Sequence, residues 1–427
     1  MIFTYKILAF ILYPFLYLFI FVRKIIKKED SERYKEKLLV SHFNINKKND
    51  KKLILFHAAS IGEFKSIIPI IEKLNTYEEK FEFLITTTTL SSGNLAEKEL
   101  KKFSNIQHRY LPLDVPFLVN KFLSLWAPSR IFLVDSEIWP NLILKTKELK
   151  IPIALINARL TSRSFKRWLI FFSTAKKIFQ IFELCLCSNS ETKKFLERLN
   201  AKSVFFKGNI KLISQSHEKK ITNINENFLK TKRFWLAASI HKEEDVFCLK
   251  THLELKKKFK QIATILAPRH IERISKLKSL AEKLNIKVQV LNTNEIILND
   301  SEVIIINYFG ALQNYFKYAK SVFIGKSITK KFQSDGGQNP IDAAKLGCKI
   351  YHGPYVYNFK EIYEILEKNN ISKKVISFEE LTKNLTNDFS EPYKIENKTF
   401  DPMKNLEQKT LNDTMPIINK FILNENK

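Results

Sequence analysis

Cysteine is scarce in this chain of 427 residues, which contains four of them. No two are spaced as C-x-x-C, and Cys185 and Cys187 alternate within an apolar, strand-like run. We therefore expect neither a disulfide framework nor a zinc site built on paired cysteines, and the cysteine usage fits a reducing cytoplasm.

Glycine and acidic residues are also few. The chain has nine glycines, and Lys and Arg outnumber Asp and Glu by 71 to 44, which gives a net charge of +27. Such a charge favours anionic partners such as phospholipid headgroups, lipid phosphates or nucleotides, although drift in nucleotide composition accounts for part of it. The chain has no lysine- or arginine-rich arm and no basic–aromatic interleaving, so nucleic acid is the least favoured partner.

Long apolar runs are absent apart from one near the N-terminus. Residues 7–22 contain no charged side chain, and Arg23, Lys24, Lys27 and Lys28 follow at once. The run is short for a full span of about 20 residues. No small-x-small cleavage site follows it, which predicts an uncleaved signal-anchor with the remainder of the chain in the cytoplasm, against an anionic membrane surface. The alternative is a buried helix of a soluble fold.

Downstream of this run, short apolar segments alternate with helical periodicities. Continuous apolar strands separated by helices predict parallel sheets that are covered on both faces. Twelve strands are expected, at residues 53–56, 81–86, 130–134, 152–156, 184–187, 203–206, 234–238, 262–267, 287–291, 303–306, 321–324 and 349–351. The fold class is therefore α/β, with two doubly wound Rossmann-like domains that we expect to face each other across a cleft.

The polar stretch at residues 213–232 interrupts the alternation of predicted strands and helices and is the expected linker. The charged, turn-rich residues 27–51 are expected to form a juxtamembrane helix and a linker. The predicted domains are residues 1–28 (membrane anchor and basic flank), 29–212 (N-terminal Rossmann-like domain), 213–232 (linker), 233–400 (C-terminal Rossmann-like domain) and 401–427 (helical tail).

The first predicted strand leads into residues 57–63, where Ser60 and Glu63 stand at the start of a helix. This spacing is that of a capping box. Alternatively, Glu63 lies at the carboxyl end of a parallel strand, where open α/β sheets bind ligands, and acts as a general base toward a hydroxyl.

Other charged residues of the first half also follow predicted strands. Asp135 and Glu137 come directly after the strand at residues 130–134. Two carboxylates at the tip of a strand are more than a solvated turn needs and indicate a functional role. The alternative is that they cap the following helix. Arg159 can pair with an anionic group or with one of these acids. Lys211 stands just before the linker, where a lysine can offset charge at a leaving phosphate.

In the second half, Pro268 and Arg269 follow a strand, and an arginine on such a loop suits bidentate phosphate recognition. Residues 336–337 use two of the nine glycines in succession before a helix start, which favours close approach of a phosphate or sugar. Asp342 can then contact ribose hydroxyls. A tight turn with a helix cap is the alternative there. Within residues 239–244, Ser239 or His241 either caps a helix or contacts a ligand.

With these motifs the chain closely resembles the 3-deoxy-D-manno-octulosonic acid (Kdo) transferases of lipopolysaccharide biosynthesis. These are inverting glycosyltransferases of family 30, with the GT-B fold and an N-terminal membrane anchor. The resemblance runs to about residue 370 and is carried by residues 57–63, 111–114, 136–141, 157–159, 163–164, 208–211, 239–244, 268–270, 336–340, 353–354 and 358–359.

The resemblance implies an enzyme that moves Kdo from CMP-Kdo to a lipid A precursor, lipid IVA, on the cytoplasmic side of the bacterial inner membrane. It implies that Glu63 is the base toward the acceptor hydroxyl and that Glu137 and Lys211 stabilise charge in the transition state. The implied CMP-contacting residues are Pro268, Arg269, Phe309, Gly310, Ala311, Asn339, Pro340, Ile341 and Asp342. Neither a metal nor a cofactor is expected besides the donor substrate.

Several residues depart from the family pattern. Acids are missing at Asn307 and Ala311, Lys326 replaces a glycine, Gln338 a histidine and Asp342 a glutamate. These substitutions are expected to affect the binding of the donor rather than the action of Glu63 as the base. Two alternatives stay open, a GT-B transferase that uses another nucleotide sugar on a lipid acceptor and a membrane-tethered nucleotide-binding homologue without catalysis. The number of Kdo residues transferred, the acylation of the acceptor and the oligomeric state are also open.

Overall fold

The computed structural model describes residues 1–46, 51–77, 81–213, 223–308, 310, 312–390 and 401–423. It divides the chain into two compact units, Met1–Gln215 with Glu407–Lys427, and Ser216–Leu406. The division falls inside the stretch predicted as a linker, residues 213–232.

A parallel sheet of seven strands forms the centre of the first unit, in the order β3-β2-β1-β4-β5-β6-β7. Its strands are β1 (Lys52–His57), β2 (Phe81–Thr87), β3 (Ile106–Tyr110), β4 (Arg130–Val134), β5 (Ile153–Ala158), β6 (Leu184–Cys187) and β7 (Val204–Phe206). The helices among its described residues before the division are α1 (Ile2–Ile11), α2 (Tyr13–Ile25), α3 (Ile61–Leu74), α4 (Leu90–Leu100), α5 (Pro116–Trp126), α6 (Pro140–Glu148), α7 (Ser162–Ile170), α8 (Phe172–Phe179) and α9 (Ser190–Arg198).

Two cores cover the two faces of this sheet, because successive side chains of a strand point to opposite faces. Leu53 and Leu55 of β1 join the core beneath α5 to α9. Ile54 and Phe56 of the same strand join the core beneath α3 and α4. This arrangement explains why the strands read as continuous apolar runs.

The second unit has the same plan, with a parallel sheet in the order β10-β11-β9-β8-β12-β13-β14. Its strands are β8 (Phe234–Ile240), β9 (Ala263–Pro268), β10 (Val288–Leu291), β11 (Val303–Ile306), β12 (Ser321–Ile324), β13 (Lys349–His352) and β14 (Ser372–Lys374). Its helices are α10 (Glu226–Thr231), α11 (Asp245–Lys258), α12 (Ile274–Lys283), α13 (Leu312–Phe316), α14 (Ile341–Lys345), α15 (Lys360–Lys368) and α16 (Phe378–Ser390). Helix α10 lies in the C-terminal part of the predicted linker and buries Phe228 and Leu229.

The last helix, α17 (Asp401–Leu423), corresponds to the predicted helical tail. Ile418 and Phe421 join the core beneath α3 and α4, and Arg130 Nε donates a hydrogen bond of 3.1 Å to the Phe421 carbonyl. At Gly208, whose φ is +108°, a Cβ would approach Thr410 Oγ1 to 3.1 Å. From Glu407 onward, the tail therefore belongs to the first unit.

The predicted doubly wound sheets are confirmed in both units, and all twelve predicted strands are present. The prediction missed β3 and β14, which are edge strands. Polar residues alternate with apolar ones in β3, and β14 is the polar sequence Ser-Lys-Lys.

The N-terminal apolar run forms two helices, α1 and α2. Among the described residues, no single helix has the length and apolar character to cross a membrane, and α1 and α2 meet that test only together, across a 53° bend. The pair also contacts the first unit. Tyr5 donates a hydrogen bond of 3.0 Å to Asp114, and the Tyr13 ring lies 5.1 Å from that of Phe117 in α5.

The segment that follows, predicted as a juxtamembrane helix and linker, instead forms two 3₁₀ turns, Arg33–Lys37 and Val40–His42. Lys37 is buried, forms an ion pair with Glu29, and donates a hydrogen bond of 2.7 Å to the Thr88 carbonyl after β2. The described part of this segment therefore packs onto the first unit, because its buried Lys37 forms contacts with Glu29 and with the Thr88 carbonyl.

Candidate active site

The strand order locates the ligand-binding edge of the first sheet. Strand β1 lies between β2 and β4 in the sheet. After β1 the chain continues to β2 on one side, and after β4 it continues to β5 on the other side, so the strand order reverses between β1 and β4. In open α/β sheets, ligands bind outside the carboxyl ends of the strands at such a point. Glu63 follows β1, and Asp135 and Glu137 follow β4, so the fold brings the predicted acids to this edge.

Glu63 lies in the first turn of α3, and its carboxylate folds back onto the start of that helix. Ser60 Oγ donates a hydrogen bond of 2.7 Å to Glu63 Oε1, and the Ala59 N–H donates one of 2.8 Å to Oε2. Ser60 also caps the helix by accepting from the Glu63 N–H. The capping box and the general base, the two interpretations of Glu63, are thus compatible, because each carboxylate oxygen has a second lone pair that can accept a proton.

Burial raises the pKa of the half-buried Glu63 carboxyl above its ordinary value. The negative charges of Asp135 and Glu137 raise the pKa further, whereas the hydrogen bonds from Ser60 and Ala59 lower it. A carboxylate with a raised pKa is a stronger base, which suits the abstraction of a proton from a hydroxyl.

Asp135 occupies the tip of β4 with a left-handed backbone, φ +62°. Its carboxylate is buried and forms an ion pair with Lys211. Lys211 therefore pairs with Asp135 and not with Glu137. A left-handed conformation at a residue other than glycine is strained and is found where surrounding contacts impose it, often at functional sites.

Glu137 is held by two aromatic side chains that the sequence motifs contain but to which we assigned no role. Trp139 Nε1 donates a hydrogen bond of 2.8 Å to Glu137 Oε2, and His57 Nε2 lies 3.4 Å from the same oxygen. His57 is fully buried at the end of β1. The position of a polar histidine at the end of an apolar strand was the available signal.

Asn157 lies in a motif that carries the resemblance, residues 157–159, but the sequence assigned it no role. It follows the same pattern as Asp135, since it ends strand β5 with φ +51° and is buried. Its Oδ1 accepts a hydrogen bond of 3.1 Å from the Ile210 N–H, which holds the turn that carries Lys211.

A pocket of about 200 Å³ opens beside Asp135. Polar groups of Ser136, Arg159 and Ser164 line it together with Asp135. Its remaining wall is mainly apolar and is formed by Ile138, Leu155, Ala158, Leu160, Trp168, Phe179, Thr192 and Leu196. Arg159 lies at this edge, as its sequence position predicted, and its N–H donates a hydrogen bond of 3.2 Å to the Asp135 carbonyl.

In the second unit the equivalent point lies between β8 and β12. The buried Glu244 carboxylate joins the loops after these strands, since it accepts hydrogen bonds from the N–H groups of His241, Lys326 and Ser327 at 2.7 to 2.9 Å. At Gly325 a Cβ would lie 2.6 Å from the Ser239 carbonyl oxygen. Of the two interpretations left open for Ser239 or His241, the structure shows capping for His241, which is the N-cap residue of the 3₁₀ turn Lys242–Glu244.

The predicted donor-binding residues that the structure describes lie at the end of β9, on loops and at the start of α14. Pro268 is buried, whereas Arg269 is exposed and its guanidinium has no ion-pair partner among the described residues. Asn339 Oδ1 accepts a hydrogen bond of 3.0 Å from the Ile341 N–H at the start of α14. Pro340 and Ile341 are buried, Asp342 is half-buried, and Gly310 is exposed with φ +82°. Phe309 and Ala311 lie outside the described residues.

Two departures from the family pattern are accommodated by local contacts. Lys326 adopts φ +57°, a conformation that favours glycine, and its ammonium lies 2.9 Å from Asp335. Gln338 Nε2 lies 3.4 Å from His241 Nε2. Burial lowers the pKa of His241 to about 4, and the charge of Lys326 adds to this effect, so His241 is neutral at pH 7 and can accept from the Gln338 amide.

In the part of the chain that the structure describes, no three His, Cys, Asp or Glu side chains are grouped so that they could hold a metal ion together. The expectation of a site without metal or cofactor stays a prediction.

Comparisons with known proteins point to one family. A profile described as 3-deoxy-D-manno-octulosonic-acid transferase (kdotransferase) matches residues 32–214. The 3-deoxy-D-manno-octulosonic acid transferase of Aquifex aeolicus is 31% identical over 342 residues, which cover 79% of this chain and 86% of that protein. The enzyme of that name from Rickettsia bellii is 28% identical over 427 residues, which cover 98% and 99%.

Among solved structures, a glycosyltransferase from Rickettsia africae superposes with a TM-score of 0.58 at 13% sequence identity, covering 88% of this chain and 100% of that one. This likeness shows the fold alone. Together with the two doubly wound sheets, it confirms the predicted α/β fold class of GT-B type.

Proposed function

The chain belongs to the 3-deoxy-D-manno-octulosonic acid transferase family, and on that premise we propose that it transfers Kdo from CMP-Kdo to a hydroxyl of a lipid A precursor, lipid IVA, with inversion at the anomeric carbon. The observation that carries this proposal is the grouping of Glu63, Glu137 and the Lys211–Asp135 ion pair at the carboxyl edge between β1 and β4. A base, an oriented carboxylate and a cation are what a displacement at an anomeric carbon requires.

In the proposed reaction, Glu63 accepts the proton of the acceptor hydroxyl. At the same time the oxygen of that hydroxyl forms a bond to the anomeric carbon of Kdo. The bond between that carbon and the phosphate oxygen breaks, and its electron pair leaves with CMP. A single displacement of this kind inverts the anomeric centre. The raised pKa of Glu63 supports the assignment, because it strengthens the base.

Glu137 and Lys211 are proposed to stabilise charge during this step. Trp139 and His57 hold the Glu137 carboxylate in place, so it can face positive charge that develops at the anomeric carbon. Lys211, oriented by Asp135, can offset negative charge that develops on the departing phosphate. Groups that are already oriented before the reaction need no reorganisation during it.

The second unit is proposed to bind the CMP part of the donor. Arg269 is exposed at the carboxyl edge of the second sheet, where an arginine can hold a phosphate by two parallel hydrogen bonds. Asp342, half-buried at the start of α14, is proposed to contact the ribose, and Asn339 and Gly310 to line the same site. No cofactor is required besides this donor.

We also propose that α1 and α2 attach the chain to the bacterial inner membrane, with the body on the cytoplasmic side. Phe3, Phe10 and Phe15 of these helices are 63 to 74% exposed, which is unusual for side chains of their size. The basic cluster that follows supports this orientation.

The test is a reconstituted reaction with lipid IVA in vesicles. CMP-Kdo is offered against UDP-sugars, and mass spectrometry of the lipid product identifies the transferred sugar and the number of units added. Glu63→Gln is expected to lower the rate of transfer by about 10²- to 10⁴-fold, the usual contribution of a positioned general base.

The matched control is Glu72→Gln, the same change on the same helix, which removes a surface ion pair with Lys102 and should leave the rate within about twofold. Transfer from a UDP-sugar alone would favour the alternative GT-B transferase. Nucleotide binding without turnover would favour the non-catalytic homologue, for which Ala311 and Lys326 are the motivating residues. Normal transfer by Glu63→Gln would remove the assignment of the base.

A further inference from the structure

The connection between α7 and α8 exposes three large apolar side chains in succession. Ile170, Phe171 and Phe172 are 70%, 49% and 40% exposed. Their neighbours Trp168 and Leu169 pack against the core, so the backbone of this connection is held by the fold. We refer to Ile170, Phe171 and Phe172 as the apolar tip.

The apolar tip lies in a strongly basic part of the chain. Residues 149–182 contain no Asp or Glu. The same residues contain seven basic side chains, Lys150, Arg159, Arg163, Lys166, Arg167, Lys176 and Lys177. Of the basic residues of α7 and α8, Arg163, Lys166, Arg167 and Lys177 are exposed. Lys176 Nζ lies 4.5 Å from the centre of the Phe172 ring.

The α7–α8 connection belongs to the same helical layer as the proposed membrane anchor. Helices α5 to α9 all pack on one face of the first sheet. Helix α1 packs on α5 in that layer, and Lys6 of α1 lies 3.6 Å from Glu148 at the end of α6. The anchor and the apolar tip are therefore on the same side of the first unit.

An exposed apolar group in a stretch of chain that carries seven basic and no acidic side chains is complementary to a lipid surface with anionic headgroups. It is not complementary to an ordinary protein partner, because the cores of protein interfaces are depleted of charge. We propose that the α7–α8 connection is a second membrane contact, in which the apolar tip enters the boundary between headgroups and acyl chains and Arg163, Lys166, Arg167 and Lys177 bind anionic headgroups. This inference rests on the proposed function only in placing the chain at a membrane.

This contact would bring the candidate active site close to a lipid-bound acceptor. Ser164, in the first turn of α7, lines the pocket beside Asp135, and Ile170 ends the same helix. A helix rises about 1.5 Å per residue, so about 9 Å separates the pocket from the membrane contact along α7. Such a distance suits a sugar hydroxyl that projects from the surface of a bilayer.

The experiment uses the full chain with a cysteine introduced by Phe171→Cys and labelled with an environment-sensitive nitrobenzoxadiazole group. The four native cysteines are buried, which allows selective labelling of the new one. The matched control is Lys98→Cys, at an exposed position of α4 on the opposite face of the sheet. Both proteins are added to vesicles of phosphatidylcholine alone and of phosphatidylcholine with about 30% phosphatidylglycerol.

We expect the label at position 171, but not the label at position 98, to shift its emission to the blue and to be quenched by lipids that carry a quencher on the acyl chain. Each of Arg163→Glu, Lys166→Glu and Arg167→Glu should weaken this insertion at least about fivefold in anionic vesicles, because one cation near the surface contributes about that factor. Transfer measured with a detergent-dispersed acceptor should be unchanged in these variants, which separates this proposal from the proposed function.

The proposal is overturned if the label at position 171 behaves like the label at position 98 in anionic vesicles while the protein is bound to them through α1 and α2. It is also overturned if the substitution Phe171→Ser abolishes self-association in sedimentation without changing vesicle binding, since the tip would then contact a second copy of the chain. Absence of Kdo transfer with normal insertion of the label would leave this proposal standing and would reject only the proposed function.

Discussion

At the scale of single residues, Glu63 has an observed structural role and a proposed chemical one. Its carboxylate accepts hydrogen bonds from Ser60 and from the Ala59 N–H, which hold the start of α3. The same bonds orient the carboxylate and oppose the increase in its pKa that burial causes. The carboxylate that completes the helix cap is thus the same one whose pKa is raised, so capping is compatible with its proposed role as the base.

The pH dependence of the reaction follows from this pKa. A base must be ionised, and a raised pKa means that Glu63 loses its charge at a higher pH than an ordinary glutamate as the pH falls. Ser60→Ala removes a hydrogen bond that lowers the pKa, so the acid limb of the activity–pH profile is expected to move to higher pH. The profile of initial rates against pH measures this shift.

Ser60→Ala should also lower the free energy of unfolding by about 1 kcal/mol, because α3 loses its cap. Ser60→Thr keeps an oxygen acceptor and donor at this position and is the conservative control, expected to restore both the profile and the stability. An acid limb that stays in place in Ser60→Ala would show that Glu63 is not the group that titrates.

At the scale of elements, the segment between the N-terminal helices and β1 acts as a clamp. Arg23 at the end of α2 lies 2.7 Å from Glu29, which also binds the buried Lys37. Lys37 in turn holds the Thr88 carbonyl, and the Thr88 N–H donates a hydrogen bond of 3.4 Å to Ala59, next to the cap of α3. The segment that follows α2 is thus joined to the loop that orients Glu63.

Loss of the ion pair between Lys37 and Glu29 should lower the stability of the fold. Lys37→Met is expected to lower the free energy of unfolding by about 3 kcal/mol, because it leaves the buried Glu29 carboxylate without its closest partner. Lys35→Met, the same change two residues away at a partly exposed position, should change it by less than about 0.5 kcal/mol. Thermal unfolding in mild detergent compares the two, and equal effects would contradict the role of the clamp.

Edge strands also show what an element requires of its sequence. Central strands such as β1 and β11 are covered on both faces and therefore consist of continuous apolar residues, which made them predictable. The edge strands β3 and β14 bury less and carry polar residues, and only their pairing with β2 and β13 identifies them.

At the scale of the whole molecule, the chain consists of two units with separate cores. If CMP binds the second unit alone, it should increase protection against hydrogen exchange within residues 223–390 and leave residues 51–77 and 81–213 largely unchanged. A ligand present at about 100 times its Kd stabilises the part that binds it by about 2.7 kcal/mol. Exchange followed by mass spectrometry of peptides measures the difference between the units.

Arg269→Ala is expected to weaken CMP binding by about ten- to a hundredfold, the contribution of hydrogen bonds to a charged group. Lys276→Ala removes a cation from an exposed position of α12 in the same unit and should change the affinity by less than about twofold. Protection confined to the first unit, or equal effects of the two variants, would contradict the assignment of the donor site.

The sequence alone determined the fold class, twelve of the fourteen strands and the edges at which Glu63, Asp135, Arg269 and Asp342 lie. It could do so because apolar periodicity and strand–loop order are local properties of the chain. Tertiary structure alone decided that Lys211 pairs with Asp135, that His57 and Trp139 hold Glu137, and that α17 completes the first unit. These contacts join residues far apart in the chain, and their partners are selected by the burial of charge and apolar surface, which no local pattern specifies.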